Sequence, residues 1–162
     1  MSYADFHVAL NDIMGQLKSK LGVSNAIIRR LEGDELKTVA HFGFGEEEAH
    51  IRIYLGQGVT GRCAKENTII VINDLDSYKG QYISGIDNAR AEICVPMTIS
   101  GRLVGTFNIE STVKDNFTKE KIELITRMAA MLAPNVASIQ SKAGTSLARA
   151  LANLESRAET GA

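Results

Sequence analysis

The sequence predicts an α+β domain: one antiparallel sheet, flanked by N- and C-terminal helices on one face and by a ligand-pocket loop layer on the other. Three observations lead there: a helical apolar period at the start, short β-branched runs separated by turn residues in the middle, and a second helical period at the end. A chain of 162 residues can build one core, burying about 68–70% of the surface its unfolded form exposes, without a disulfide or structural metal. With 18 basic against 19 acidic side chains and no long block of one sign, it offers nucleic acid no general attraction. No window holds the ~18 uncharged apolar residues of a membrane helix, and the N-terminus lacks the basic cap and apolar run of a secretory signal. A cytoplasmic protein with no membrane partner is expected.

Phe6, Val8, Leu10, Ile13, Met14, Leu17 and Leu21 recur mostly at steps of three and four, which predicts an amphipathic helix from Tyr3 to Leu21, stopped by Gly22. Asn25–Leu31 and Leu36–Phe42, joined at Gly33-Asp34, read as an antiparallel hairpin ending in the glycine-rich run His41–Gly45. Glu46–Glu48 can open a short helix, Ile51–Leu55 reads as a strand, and a short helical stretch is expected around Arg62–Lys65. Thr68–Ile72 is a β-branched strand ended by Asn73-Asp74. Leu75–Ala91 is the longest irregular stretch, and such a loop in a compact domain is usually a lid or binding loop. Ala91–Ile99 and Leu103–Glu110 make a second hairpin. A helical pattern then runs from Phe117 to Arg157, with a kink or boundary expected near Ala133 because Pro134 removes a backbone donor.

The second hairpin admits a register argument. A three-residue connection, Ser100–Arg102, sets Ile93, Val95 and Met97 opposite Ile109, Phe107 and Gly105, so that the bulky apolar groups share one side. The other side then carries Glu92 opposite Glu110, Cys94 opposite Asn108, Thr98 opposite Val104, and Thr106. This more polar side lies under the long loop.

Gly56-Gln57-Gly58-Val59-Thr60-Gly61, the strand and turn Ile70–Asp74, Ala91–Met97, Gly101–Ser111 and Phe117-Thr118, taken in this order, resemble a GAF domain, a fold related to PAS domains. The glycine pattern alone would suggest a dinucleotide site, but it opens no βαβ unit and has no acidic residue at the expected place. The resemblance implies a small ligand held between sheet and loops and a binding event passed to neighbouring helices. It extends, more distantly, to the free methionine-(R)-sulfoxide reductases through the acids of the two strands. That branch implies attacking and resolving cysteines in the glycine loop and the long loop, where this chain has Thr60 and about Ser84. A hydroxyl forms neither the mixed sulfur intermediate nor the resolving disulfide, so no catalytic residue is assigned. Such an enzyme is the alternative reading and would have to use Cys94 or Cys63 unconventionally. The acidic pair that the resemblance implies for cyclic-nucleotide binding is replaced by Lys121-Ile122, and neither cysteine precedes the His that bilin attachment requires.

The candidate ligand-binding residues are Arg52, Tyr54, Thr60, Tyr82, Arg90, Glu92, Cys94, Thr106, Asn108 and Glu110, with Phe42 beside them. Two carboxylates at cross-strand distance repel, and a cationic or amine-bearing ligand relieves that repulsion. Alternatively, Glu92 and Glu110 satisfy backbone donors of the loop or pair with Arg90. Arg29-Arg30 and Glu46–Glu48 read as solvated charges. His7, His41 and His50 fall on helix, strand and loop, and Cys63 and Cys94 lie far apart with no CxxC. No metal set is therefore expected, the cofactor is unknown, and the cysteines read as free thiols.

Ile125, Ala129, Leu132, Val136, Ile139 and Ala143 alternate at steps of four and three, after which the apolar stripe shifts to Leu147, Leu151 and Leu154 in the manner of a stutter. The chain is thus divided into a GAF-like domain at residues 1–140 and a helical extension and tail at 141–162, with Gly144 a second weak point. Leucines beyond the reach of the sheet need a partner, and a parallel homodimer through the terminal helices is expected, with a back-folded helix hairpin as the alternative. The functional expectation is a sensory or regulatory module for a small polar ligand. Its output would lie in a downstream signalling protein or in a longer chain. A dimeric scaffold with an empty pocket is the third reading.

Overall fold

The structure, a computed structural model, describes residues 3–139. Its strands are β1 (Ala26–Glu32), β2 (Glu35–Phe42), β3 (Ile53–Tyr54), β4 (Ile70–Ile72), β5 (Ala91–Ile99) and β6 (Arg102–Ser111). They form one antiparallel sheet in the spatial order β3-β2-β1-β6-β5-β4. The helices are α1 (Tyr3–Leu21), α2 (Glu46–Ala49), α3 (Gly58–Glu66) and α4 (Lys119–Ser138).

Side chains alternate along β5 and β6, and Ile93, Val95, Met97, Phe107 and Ile109 all turn to the face covered by α1 and α4. Against them α1 lays Phe6, Leu10, Ile13 and Leu17, and α4 lays Ile125, Ala129, Leu132 and Val136, all buried. Each large apolar side chain enclosed here contributes about 1.5–3 kcal/mol. Thr118 caps α4, its hydroxyl accepting from the Lys121 N–H at 3.4 Å. The helix does not end near Ala133: it runs through Pro134 to Ser138. Pro134 faces solvent there, one turn before the helix ends. The stripe beyond Ile139 and the 141–162 extension lie outside the described residues.

The β5–β6 connection corrects one expectation while keeping its consequence. It is a two-residue turn, Ser100-Gly101, with φ of 51° and 77°, the left-handed pair of a type I′ hairpin. Thr98 therefore pairs with Leu103 rather than Val104. A bulge between Met97 and Thr98 absorbs one extra residue of β6, so Met97 meets Gly105, Val95 meets Phe107 and Ile93 meets Ile109. A second bulge, at Ile28/Arg29, puts both Val39 and Ala40 of β2 into the helix-side core.

The opposite face is covered by α2, α3 and the irregular segment 78–90. The helix α3 begins at Gly58, earlier than the stretch expected around Arg62–Lys65. Gly61 lies so close to the Tyr54 carbonyl that any Cβ would collide with it, which lets α3 pack directly against β3. No helix among the described residues is long and apolar enough to cross a membrane.

Candidate functional site: a lidded cavity on the polar face of the sheet

The same alternation that sends Ile93 and Phe107 toward the helices sends Glu92, Cys94, Thr106, Asn108 and Glu110 to the loop side. In register, Glu92 faces Glu110, Cys94 faces Asn108, and Arg29 of β1 faces Thr106. Arg29, Glu92, Asn108 and Glu110 floor a cavity of about 20 Å³. Val59 and Thr60 of α3, Phe44, Glu48, Ile51 and Ile53 form its walls, and Ile83, Ser84 and Gly85 its roof.

Glu110 is the latch of this roof. Its backbone is fixed by the buried Asn25, whose amide donates to the Glu110 carbonyl at 2.6 Å and accepts from the Glu110 N–H at 2.8 Å. The Glu110 carboxylate accepts from the Tyr82 hydroxyl at 2.8 Å and from the Ile86 N–H at 2.6 Å. Gly85 lies against that carboxylate with no room for a Cβ. Further out, the Gly58 N–H donates to Gln81 Oε1 at 2.9 Å and Arg62 Nη1 donates to the Tyr78 hydroxyl at 2.8 Å, tying the segment to α3. A volume of about 20 Å³ holds little more than one water.

Several other polar atoms on this face have no protein partner. Glu92 Oε1 accepts from Asn108 Nδ2 at 2.7 Å, but Oε2 has no hydrogen-bond partner. Neither have Arg29 Nε and Nη1, nor Thr106 Oγ1, and all three residues are buried. Each such group left unpaired costs about 1–3 kcal/mol, and buried polar groups are normally bonded. Burial, reinforced by the Glu110 charge, pushes the Glu92 carboxyl up to about 8. Burial also raises Glu110, against the opposing pull of the Ile86 N–H, the Tyr82 hydroxyl and Arg29. Tyr82 is raised by burial and by the Glu110 charge. Burial lowers Arg29, while Cys94, Glu92 and Glu110 act in the opposite direction; a guanidinium nonetheless stays charged.

The structure brings Thr60, Glu92, Asn108 and Glu110 around the cavity and hangs Tyr82 from Glu110. Thr106 lies on the same face beside Arg29 without bordering the cavity. Cys94 lies under α3 with Cys63, Val59, Ile70 and Ile72, its carbonyl accepting from Cys63 Sγ at 3.4 Å. Burial holds its thiol well above the ordinary range. Arg90 points away and pairs with Asp76 at 2.9 Å, so it is not the partner of the glutamates. Arg52 is exposed, 3.8 Å from Glu35, and lines an open groove of about 310 Å³ with Lys37 and His50. Tyr54 sits half-buried on the edge strand opposite Glu35, and Phe42 packs on the helix-side core.

Arg29 is the main residue that sequence reasoning missed. It is 4% exposed, not solvated. The signal was available: consecutive strand residues point to opposite faces, so Arg29 and Arg30 could not both face solvent over a covered sheet. His41 and His50, apart in the sequence pattern, meet edge to face with ring centroids 5.4 Å apart.

Comparison with known proteins agrees with this architecture. The GAF domain family model (GAF_2) matches residues 4–137. Nitrogen fixation protein AnfA of Azotobacter vinelandii is 28% identical over 142 residues, covering 82% of this chain and 27% of that protein. Free methionine-R-sulfoxide reductase of Escherichia coli (strain K12) is 29% identical over 94 residues, covering 58% of this chain and 56% of that one. The chain thus spans about a quarter and about half of these two relatives. Among solved structures, the type II free methionine-R-sulfoxide reductase from Thermoplasma acidophilum aligns with a TM-score of 0.73 at 27% identity, over 83% of this chain and 94% of that one. The GAF domain from Acinetobacter phosphoenolpyruvate-protein phosphotransferase shares the fold, with a TM-score of 0.68 at 16% identity over 77% of this chain and 78% of that one. With the family model covering nearly all described residues, the chain belongs to the GAF domain family.

Proposed function

We propose that this domain is a regulatory module that closes its lid over a small zwitterion, and that it binds this ligand without transforming it. The ligand's anionic group would meet Arg29, and its ammonium group would lie between Glu92 and Glu110. The observation that carries this reading is the orphaned floor: Arg29 Nε and Nη1 and Glu92 Oε2 are buried donors and acceptor without partners, on one face, under one lid. A ligand carrying both charges would supply the missing bonds of Arg29 and Glu92 at once. Its ammonium group would also stand in for Tyr82 and Ile86 on Glu110, or join them there, so that occupancy is read by the lid.

A route to the helices is built into the start of that lid. The Asn73 side chain accepts from the Phe117 N–H and donates to the Phe117 carbonyl, both at 3.0 Å, and Asp74 pairs with Lys114 at 3.0 Å. Movement of the segment after β4 therefore reaches the entry to α4. Val8 on α1 and Met131 on α4 are exposed apolar residues and support pairing of two copies through the terminal helices of a cytoplasmic homodimer that acts on a downstream signalling protein.

The second reading is a free methionine-R-sulfoxide reductase, supported by the two reductases similar to this chain. Against it, the side chains at the cavity are Thr60 and Ser84, while Cys63 and Cys94 are buried behind α3. One experiment separates the two readings. With a thiol reductant and free methionine-R-sulfoxide, the proposal expects no turnover above the protein-free rate. In a thermal-shift panel of amino acids it expects at least one to raise the melting temperature of the wild type and not of Arg29→Met. Turnover abolished by Cys94→Ser, or a panel without any Arg29-dependent shift, contradicts it. Sedimentation at micromolar concentration should give the mass of two chains.

A further inference from the structure

We infer that His41, Glu46 and His50 form a site for a divalent transition-metal ion of the zinc class, which clips the cavity wall to β2. The trio lies outside the ligand-binding floor and goes beyond the function proposed above. His41 comes from β2, Glu46 opens α2, and His50 follows α2 directly. The four-residue spacing of Glu46 and His50 places them on one side of that single turn. Their ligand atoms, with that of His41, all lie within 4.8 Å of one another, the one such group among the described residues.

The spacing leaves room for a shared ion between the three side chains. Glu46 Oε1 is 3.6 Å from His41 Nε2, and Glu46 Oε2 is 3.3 Å from His50 Nε2. A charge-assisted hydrogen bond would draw such atoms to about 2.7–2.9 Å. Ligand atoms about 2.0–2.1 Å from a tetrahedral zinc ion stand about 3.3–3.4 Å apart. The imidazoles meet edge to face at 88° rather than stacking. Two imidazoles and one carboxylate suit zinc or its neighbours and not magnesium or calcium, which take oxygen ligands. Glu46 and His50 are exposed, so solvent can fill the fourth position. The buried Nδ1 of His41 has no hydrogen-bond partner. The ring therefore lacks the outer support that usually adds about 10–100-fold in affinity, and moderate rather than extreme affinity is expected.

The local structure gives the ion something to do. The helix α2 is four residues long and has no side-chain cap at its N-terminus. Besides the His41–Glu46 contact, it is tied to β2 by the Thr38 hydroxyl, which donates to the Ala49 carbonyl at 2.5 Å. The segment around it supplies Phe44, Glu48 and Ile51 to the cavity wall. An ion bridging β2 to both ends of α2 would hold that wall in place.

The test is titration of the untagged, chelator-stripped chain with Zn²⁺ by calorimetry, and with Co²⁺ by visible absorption. We expect one equivalent to bind, with the intense visible bands of a four-coordinate cobalt ion. His50→Gln and Glu46→Gln should each weaken binding by about tenfold or more, and His7→Gln, on α1, should leave it unchanged. Both substituted ligands are exposed, so unchanged far-UV circular dichroism should accompany the loss. The inference is overturned if no saturable equivalent binds, or if His50→Gln and His41→Gln bind zinc as tightly as the wild type.

Discussion

Alternate residues of β5 and β6 build two faces that obey different rules. On the helix side, Ile93, Val95, Phe107 and Ile109 join one apolar cluster with residues of α1 and α4. On the loop side, one residue further along the same strands, Glu92 and Thr106 are as deeply enclosed, yet they keep polar atoms without partners, as does Arg29 on the adjoining strand. The first face is optimised for folding. The second is held in a costly state by the stability of the first, which supports its proposed reading as a binding surface.

The largest effect should come from damaging the folding face. Phe107→Ala removes a fully buried ring between the sheet and the helices and should lower unfolding stability by about 3–5 kcal/mol in denaturant titration. A loss as small as that of a surface change would show that the two faces are not energetically distinct.

The next effect concerns pH and belongs to the binding face. The Glu92 carboxyl is raised from 4.5 to about 8, so between those values the folded protein keeps a proton that the unfolded chain has released. Its contribution is fully present below 4.5 and is lost as pH rises through about 8. By pH 9 the loss should be on the order of a few kcal/mol, and the shift of Glu110, of the same sign, adds to it. Glu92→Gln should flatten the decline and leave the variant more stable than the wild type in alkaline buffer. A decline equally steep in both would mean that Glu92 is ionised at neutral pH.

The smallest effect is expected outside both faces. Arg52 is exposed, and its 3.8 Å approach to Glu35 is a surface contact. Arg52→Ala should change stability by less than about 0.5 kcal/mol and leave ligand binding untouched.

How far the sequence carried these distinctions depends on the range of the contacts involved. The β5–β6 pairing is local, and the apolar alternation set its register even though the turn proved to be Ser100-Gly101 with a compensating bulge. Glu92, Asn108 and Glu110 could therefore be placed on one face from sequence. The pairing of β1 with β6 joins residues some eighty positions apart, and it alone puts Arg29 beside Thr106. That is why Arg29 looked like a surface charge. Arg52 and Arg90 were drawn toward the site by proximity in sequence, whereas each found a carboxylate at the surface instead, Glu35 and Asp76. The roof was legible as a long loop, but its attachment through Tyr82, Gly85 and Ile86 to one carboxylate depends on contacts that no local pattern records.

The most direct test of the central claim is the discrimination between amino acids and their singly modified analogues, measured by calorimetry on the wild type, Arg29→Met and Glu92→Gln. For an amino acid that binds the wild type, the matching carboxamide and des-amino acid should each bind about tenfold or more weakly, the loss of one charged contact. Arg29→Met should no longer distinguish acid from carboxamide, and Glu92→Gln, with Glu110 still in place, should distinguish amine from des-amino compound less sharply than the wild type. Equal binding of all three compounds to the wild type, or discrimination undiminished by both substitutions, would contradict the assignment of Arg29 and Glu92 to the two ends of a zwitterion.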